Sequence, residues 1–252
     1  MRGIIIGAGR GQRLMPTTAD APKCYAEVGG RRILDWTRDA FHQNGITDLC
    51  FIGGYRIEMV RRDYPDFTFR HNTDWPNNNI MMSLMHAADL MDEEFVCCYS
   101  DCLFTPALIR GLLDTPGGIV VSLDLEWLDR YAERSLHPPD DAEKAVVKYG
   151  QLTGIHRDIP TNEAYGEYTG VAKFSERGAQ QLREHFERRK AEYAGKPFRE
   201  AKVFEKAYLI HLLDDLIEQG TEIRHADSRA EYIEIDTQED YDYAGRNWPL
   251  HK

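Results

Sequence analysis

Three glycines in five positions follow a run of β-branched residues near the start of the chain, at Gly7, Gly9 and Gly11. The apolar run Ile4–Ile6 before them is typical of a buried strand, and the glycines indicate that a loop comes next. Glycine backbone can turn several N–H groups toward one point, which suits a chain of phosphates. The start of the sequence therefore predicts a strand that ends in a phosphate-binding loop.

Two common glycine loops do not match this stretch. A P-loop needs Gly, four residues and then Gly-Lys-Ser/Thr, and no such string occurs in the chain. A dinucleotide loop needs G-x-G-x-x-G followed at once by a helix, but position 12 is Gln and Pro16 would interrupt that helix. For Gly7-Ala8-Gly9 alone, a tight turn from strand to helix is the structural alternative.

The string continues with two cationic residues, Arg13 and Lys23. Arginine can hold phosphate oxygens through two donors at once, and lysine acts as a mobile point charge. The whole string from Gly7 to Thr18, followed by Pro22-Lys23, resembles the signature of the sugar-nucleotidyltransferase superfamily. Those enzymes join a nucleoside triphosphate to a phosphorylated acceptor and release pyrophosphate. The resemblance implies that Lys23 and Arg13 are catalytic, and that the nucleotide is bound by Gly7, Ala8, Gly9, Gly11 and Gly54.

Length and charge narrow the class of protein. A chain of 252 residues can bury one sizeable core. Its net charge of −11 disfavours a general nucleic-acid binder, although local arginine and lysine with a metal ion can still hold a nucleotide. The apolar runs are too short to span a membrane and the first residues lack a signal-peptide layout. We therefore expect a cytoplasmic protein without nucleic-acid or membrane partners, and leave its oligomeric state open.

Five cysteines are present, an odd number in mostly apolar surroundings, which favours reduced thiols. Cys97, Cys98 and Cys102 are close enough in sequence to suggest a zinc site as an alternative. The run of residues 95–99 is however typical of a buried strand, in which cysteine serves as a small apolar residue.

Short apolar runs alternate with segments of helical periodicity through the first half of the chain. This alternation predicts an α/β fold, a single domain with a mostly parallel, Rossmann-like mixed sheet flanked by helices. The polar stretch 125–141 is too long for a simple connection and indicates a small acceptor-binding lid or insertion. We divide the chain into a nucleotide-binding half (1–124), an acceptor-binding excursion (125–175) and a segment of closing helices with a C-terminal metal motif (176–252).

A polar loop rich in asparagine precedes a predicted helix at residues 80–91. Asparagine runs usually form capped turns. Residues 78–84 nevertheless resemble an Asn-Asn-x-x-Ser-Leu string that lies beside the cytosine in bacterial phosphocholine cytidylyltransferases, with one additional residue before the serine and with methionine in place of an aromatic residue. The resemblance implies that Asn78 and Ser83 bind the nucleotide.

Two aspartates follow predicted strands, Asp101 after residues 95–99 and Asp236 after residues 232–235. Each has a structural alternative as a helix cap. Open α/β sheets bind ligands at the carboxyl ends of their strands, where Mg²⁺ takes carboxylate and phosphate oxygens. The superfamily places metal-binding aspartates at matching positions, so the resemblance implies that Asp101 and Asp236 hold Mg²⁺.

Pieces of the excursion resemble the acceptor half of nucleotidyltransferases of phosphonate and phosphocholine pathways, among them Asp141-Ala142-Glu143-Lys144. Aromatic and acidic side chains there could enclose a cationic amine, or they could simply pack the lid. The residues that we expect to bind the acceptor are Trp127, Tyr131, Lys148, Glu167 and Tyr168.

We therefore expect an Mg²⁺-dependent nucleotidyltransferase that moves CMP from CTP to a phosphorylated or phosphonate acceptor, such as phosphocholine or 2-aminoethylphosphonate. One alternative is a sugar-1-phosphate uridylyl- or thymidylyltransferase. A second is a catalytically silent nucleotide-binding module on the same fold. A zinc-bound interaction domain built on the cysteines is a third.

Overall fold

The computed structural model describes residues 1–132, 134–136 and 138–248. The strands are β1 (Arg2–Gly7), β2 (Glu27–Val28), β3 (Arg31–Arg32), β4 (Asp48–Gly53), β5 (Thr68–His71), β6 (Phe95–Tyr99), β7 (Cys102–Phe104), β8 (Ile119–Asp124), β9 (Lys144–Lys148), β10 (Gln151–Ile155), β11 (Gly166–Phe174), β12 (Arg224–Ser228) and β13 (Tyr232–Glu234). The helices are α1 (Ile33–His42), α2 (Ile57–Asp63), α3 (Ile80–Met85), α4 (Pro106–Asp114), α5 (Trp127–Tyr131), α6 (Glu176–Tyr193), α7 (Leu209–Glu218) and α8 (Gln238–Asn247).

One mixed sheet forms the centre of the described chain. Its main path runs β10-β9-β11-β6-β1-β4-β5, and β8 and β12 extend it beside β11. Strand β1 pairs in parallel with β4 and β6, whereas β11 runs antiparallel to β6, β8 and β9. The predicted α/β fold with a mostly parallel, Rossmann-like mixed sheet flanked by helices is confirmed, and the antiparallel pairings of this sheet are those of β11 and of β9 with β10.

The parallel strands are apolar throughout because both of their faces are covered, as in other α/β proteins. Ile4 and Ile5 of β1 are fully buried. Helix α7 buries Leu209, Leu212 and Leu213 and packs against β10, α3 and α6. All five cysteines are buried free thiols. None of the helices in the described part of the chain is long and apolar enough to cross a membrane.

Two predicted helices are shorter in the structure than the sequence periodicity suggests. The helix expected at residues 80–91 ends at Met85 and is followed by a 3-10 turn at Ala88–Leu90, because Ala87 already bonds back to the carbonyl of Leu84. The apolar periodicity of residues 204–219 likewise predicts a helix over that range, but α7 begins at Leu209, because Tyr208 has extended backbone and caps the helix together with His211.

One strand of the mixed sheet and a separate two-stranded ribbon position the acidic residues. Strand β6 ends at Tyr99, two residues before Asp101, and β7 then pairs with β13 in antiparallel register, with Cys102 opposite Glu234. The backbone N–H of Ile235 donates to the carbonyl of Asp101 (2.9 Å). The ribbon thus brings together the carboxylates at positions 101, 234 and 236 from two distant parts of the sequence.

Candidate active site

A cavity of about 610 Å³ lies at the carboxyl ends of β1 and β6. One wall is the glycine loop, in which Gly11 takes a left-handed conformation with φ of 69°. This conformation favours glycine and turns the chain so that the loop borders the cavity. Among the other residues that line the cavity are Arg13, Lys23, Trp75, Asn78, Ser83, Tyr99, Asp101, Glu143, Arg157, Tyr208, Glu234 and Asp236.

Gly54, expected to bind the nucleotide, lies behind the glycine loop and is not among the described residues that line the cavity. A Cβ atom there would come within 2.6 Å of the carbonyl oxygen of Ala8 and of the ring of Trp75. The next residue, Tyr55, donates its backbone N–H to that same carbonyl (2.9 Å). Gly54 therefore supports the loop by allowing close approach, while Gly7, Ala8, Gly9 and Gly11 border the cavity directly.

Lys23 connects the two predicted metal-binding aspartates. Its Nζ donates to Asp101 Oδ2 (2.7 Å) and also to Asp236, which pairs with Arg13 as well. Burial lowers the pKa of Lys23, but the carboxylates of Asp101 and Asp236 outweigh burial and raise it above its ordinary value. The amine therefore stays charged, beside the loop and inside the cavity.

A third carboxylate, Glu234, joins the aspartates. Oxygens of Asp101, Glu234 and Asp236 all lie within 4.8 Å of one another. Burial, followed by the charges of Asp236 and Asp101, raises the pKa of Glu234 well above its ordinary value. Glu234 was not among the metal ligands predicted from the sequence. Its spacing from Asp236 was the signal, because residues two apart in an extended segment point to the same side.

These three carboxylates form a set of donors that fits a hard divalent cation. Such ions prefer oxygen ligands, and Mg²⁺ commonly takes one or two carboxylates together with phosphate oxygens. Three acidic groups this close repel one another, and a cation between them offsets that repulsion. The arrangement can therefore hold a metal at the point where the glycine loop, Arg13 and Lys23 meet.

At another part of the cavity wall, Asn78 and Ser83 belong to a buried amide network. Asn72 donates to Asn78 Oδ1 (2.7 Å) and to Ser83 Oγ (3.0 Å), and Asn78 donates back to Asn72 Oδ1 (3.1 Å). Asn72 is fully buried and was missed in the sequence because it lies outside the matched string. The network fixes the orientation of two polar side chains that face the cavity.

The deep end of the cavity carries an acidic and aromatic lining. Glu143 accepts weakly from Tyr99 and from Arg157, each at 3.4 Å, and the Arg157 guanidinium stacks on Tyr208 at 4.2 Å. Burial raises the pKa of Glu143 to about 7, although Arg157 opposes this rise. No individual role was predicted for Glu143 or Arg157 from the sequence, because only the folded excursion brings these two side chains to the cavity.

A narrow extension continues from this end, and Glu167 and Tyr168 line it as expected acceptor residues. The hydroxyl of Tyr168 is buried and has no hydrogen-bond partner among the residues that the structure describes. The structure does not bring the other three expected acceptor residues to the described cavity lining. Trp127 packs on Tyr131, and Tyr131 donates to Glu167 from behind, while Lys148 is exposed at the end of β9.

This geometry can be compared with known proteins. Residues 2–104 match the family model described as Nucleotidyl transferase. The chain is 24% identical to CTP:phosphoglutamine cytidylyltransferase of Campylobacter jejuni, over 95% of this chain and 97% of that protein. It is 30% identical to the UTP–glucose-1-phosphate uridylyltransferase AglF of Haloferax volcanii, over 43% of this chain and 46% of that protein.

Solved structures share the fold. The CTP:phosphocholine cytidylyltransferase of Streptococcus pneumoniae superposes with a TM-score of 0.74 at 16% identity, covering 97% of each chain. At this identity the likeness concerns the fold alone. The family match covers the glycine loop, Arg13, Lys23 and Asp101, which are the residues that carried the resemblance in the sequence. Residues 2–104 of the chain therefore match the Nucleotidyl transferase family model, and the chain as a whole shares its fold with the CTP:phosphocholine cytidylyltransferase structure.

Proposed function

We propose that the protein transfers CMP from CTP to a small phosphorylated or phosphonate acceptor and releases pyrophosphate. The observation that carries this proposal is the meeting of Lys23 and Arg13 with three carboxylates beside the glycine loop. The preference for CTP is supported by the relatives named above that use this triphosphate.

In this proposal, the glycine loop and Arg13 bind the β- and γ-phosphates. The Arg13 side chain is 57% exposed, so its guanidinium can reach a ligand in the open part of the cavity. Lys23 is held at the inner side, where its charge stabilises the α-phosphate as negative charge moves toward the leaving pyrophosphate. Both side chains must exchange part of their contact with Asp236 for contact with phosphate.

Asp101, Glu234 and Asp236 are the residues that would hold Mg²⁺. A bound Mg²⁺ supplies positive charge that offsets the charge of the triphosphate. The two aspartates were expected from the sequence, and we add Glu234 because its carboxylate lies within 4.8 Å of theirs.

The acceptor needs no general base in this reaction. A phosphate or phosphonate oxygen is already anionic near neutral pH and can attack the α-phosphorus in line. No histidine is among the described residues that line the cavity, in keeping with such a mechanism.

The amide network supplies the contacts for the base. A carboxamide offers both donors and an acceptor, and so can pair with the edge of cytosine, which has an amino donor and ring acceptors. We assign this role to Asn78 and Ser83, with Asn72 orienting both.

The deep end of the cavity suits an acceptor that carries an amine. The acidic side chains Glu143 and Glu167 attract a cation, and the rings of Tyr99 and Tyr168 can face it. Tyr131 and Trp127 contribute from behind, by holding Glu167 in place.

Pyrophosphate release tests the proposal. Each of the four nucleoside triphosphates is combined with phosphocholine, 2-aminoethylphosphonate, phosphoglutamine or glucose 1-phosphate, with and without Mg²⁺. We expect release with CTP and an amine-bearing acceptor only when Mg²⁺ is present. Release with UTP or dTTP and glucose 1-phosphate would instead support the activity named for AglF, and no release with any pair would favour the silent nucleotide-binding module.

A further inference from the structure

Residues 134–136 belong to the acceptor excursion and lie against the segment 234–237, which carries Glu234 and Asp236. The side chain of Arg134 is only 2% exposed. Its Nη2 donates to the backbone carbonyl of Glu234 (2.9 Å), and its Nε pairs with Asp240 Oδ1 (2.6 Å). One buried guanidinium therefore contacts the backbone of Glu234 and the side chain of Asp240, which lie on either side of Asp236 in the sequence.

Asp240 passes this contact to the backbone of the turn. Its Oδ2 accepts from the backbone N–H groups of Asp236 (3.0 Å) and Thr237 (2.7 Å), and the residue is fully buried. Arg134 and Asp240 together therefore fix the backbone from Glu234 to Thr237. Charged hydrogen bonds of this kind are stronger than neutral ones, and buried groups cannot exchange them for water.

We infer that Arg134 is a positioning residue that orients Glu234 and Asp236 for the divalent cation, an inference that rests on the metal role in the proposed function. Oxygens of Asp101, Glu234 and Asp236 lie within 4.8 Å of one another, and Lys23 and Arg13 offset the repulsion between them. When these two cations exchange part of their contact with Asp236 for phosphate, a short segment would yield to the repulsion unless its backbone were held. Arg134 holds it through the carbonyl of Glu234 and through Asp240.

The same arginine connects the metal-binding turn to the acceptor end of the cavity. Its guanidinium lies over the ring of Tyr131 at 4.8 Å, and the hydroxyl of Tyr131 donates to Glu167. Glu167 lines the narrow extension in which we place the acceptor. This path gives Tyr131 a role although its side chain is not among the described cavity-lining residues.

Manganese binding tests the inference without substrate, because Mn²⁺ is a paramagnetic substitute for Mg²⁺ whose free concentration is read by electron paramagnetic resonance. Lysine at position 134 keeps the charge, but its single ammonium group replaces the fork that contacts both Glu234 and Asp240. We expect R134K to stay folded and to bind Mn²⁺ about 10- to 100-fold more weakly, the usual loss when a residue behind a metal ligand is changed.

A double variant, R134M/D240N, removes both charges of the buried pair, while the carboxamide introduced by D240N keeps an acceptor oxygen for the two N–H groups. We expect the same loss of Mn²⁺ affinity in this variant, with circular dichroism unchanged. If it fails to fold, R134K alone decides. The control is E239Q, because Glu239 holds Ser135 and Leu136 (2.5–2.7 Å) without contacting the Glu234–Thr237 backbone in the described hydrogen bonds. Its Mn²⁺ affinity should stay within about twofold of wild type.

The outcomes separate the two levels of the proposal. Folded R134K with wild-type Mn²⁺ affinity would overturn the positioning role of Arg134. A wild-type protein that binds no Mn²⁺, with or without CTP, would instead overturn the metal role on which the inference rests. Equal losses in R134K and E239Q would show that the whole contact of residues 134–136 matters and that Arg134 has no special part.

Discussion

Lys23 is a buried cation that pairs with two carboxylates. It is 8% exposed and lies between Asp101 and Asp236, which are 135 residues apart (236 − 101) in the sequence. A buried ammonium group is tolerated there because its carboxylate partners offset the loss of hydration. The same burial keeps water away from the charge, so its effect on a phosphate in the cavity is strengthened.

Replacing Lys23 by methionine should therefore remove charge from the reacting phosphate with little loss of volume. We expect kcat of K23M to fall about 10²- to 10³-fold, the usual cost of losing one group that stabilises a transition state. Circular dichroism would verify the fold, and K202M, at an exposed lysine, is the control. Wild-type kcat in K23M would remove the residue from the mechanism.

Glu143 makes the stability of the protein depend on pH. Its pKa is about 7 in the folded protein against an ordinary value of 4.5, because the carboxyl group is buried. Between these values the unfolded chain loses the proton while the folded protein keeps it, so stability falls as pH rises. Below about 4.5 both states are protonated, and above about 7 both are ionised, so the stability no longer changes there through this group.

The variant E143Q should lack this decline. Comparing urea unfolding of wild type and E143Q between pH 4.5 and 7.5, we expect the free energy of unfolding of wild type to fall by roughly 3 kcal/mol relative to the variant, since one pKa unit corresponds to about 1.4 kcal/mol. Parallel pH curves for the two proteins would show that folding does not raise the pKa of Glu143.

At the scale of elements, the sequence predicts best where one local pattern decides. Short apolar runs located β1 and β6 to within two residues, because a strand buried on both faces needs apolar residues along its length. The end of α3 and the start of α7 were not predictable, because their backbone is decided by capping contacts with the turn beside them.

The candidate site divides in the same way. Its glycine loop, Lys23 and the two aspartates have fixed spacing within short motifs, so they were found from the sequence. Arg157 and Asn72 have no motif of their own, and the piece that contains Glu143 gave that residue no individual role; only long-range pairing of β9 and β11 and the amide network bring these residues to the cavity. Trp127 and Lys148 show the opposite case, because residue type alone suggested a binding role that their placement does not supply.

Two helical glycines provide a matched test of element packing. A Cβ at Gly178, in the first turn of α6, would overlap the backbone carbonyl of Gly118, whereas a Cβ at Gly111 in α4 would meet no heavy atom of the described residues within 4 Å apart from its chain neighbours and its own helix backbone. We expect G178A to lower the free energy of unfolding by about 1–3 kcal/mol through overpacking. G111A should raise it by about 0.5–1 kcal/mol because alanine favours the helix. Urea unfolding gives both values, and changes of the same sign would contradict this packing.

At the scale of the whole molecule, the excursion and the C-terminal segment complete a site that the first half begins. The glycine loop, Lys23 and Asp101 come from the first 104 residues, which is also the range of the family match. Glu143 and Arg157 come from the excursion, and Glu234 and Asp236 from the C-terminal segment. Ligand binding therefore draws together parts of the chain that are far apart in sequence and should stabilise the folded state as a unit.

We predict that CTP with Mg²⁺ raises the melting temperature more than UTP with Mg²⁺ does. At a free concentration 100 times its dissociation constant, a ligand adds about 2.7 kcal/mol, which is roughly 5–10 °C for a chain of this size. In S83A the difference between the two triphosphates should shrink, because one contact to the base is lost. Equal shifts with CTP and UTP in wild type would contradict the assignment of the amide network to cytosine.

The proposed reaction transfers CMP, which contains the α-phosphate of CTP, to the acceptor. CTP radiolabelled at its α-phosphate, incubated with Mg²⁺ and 2-aminoethylphosphonate or phosphocholine, provides the most direct measurement when the products are separated by chromatography and identified by mass. We predict that the label appears in a product containing both CMP and the acceptor, and that K23M slows its formation. Label that remains in CTP, or appears only as free CMP, would contradict nucleotidyl transfer to these acceptors.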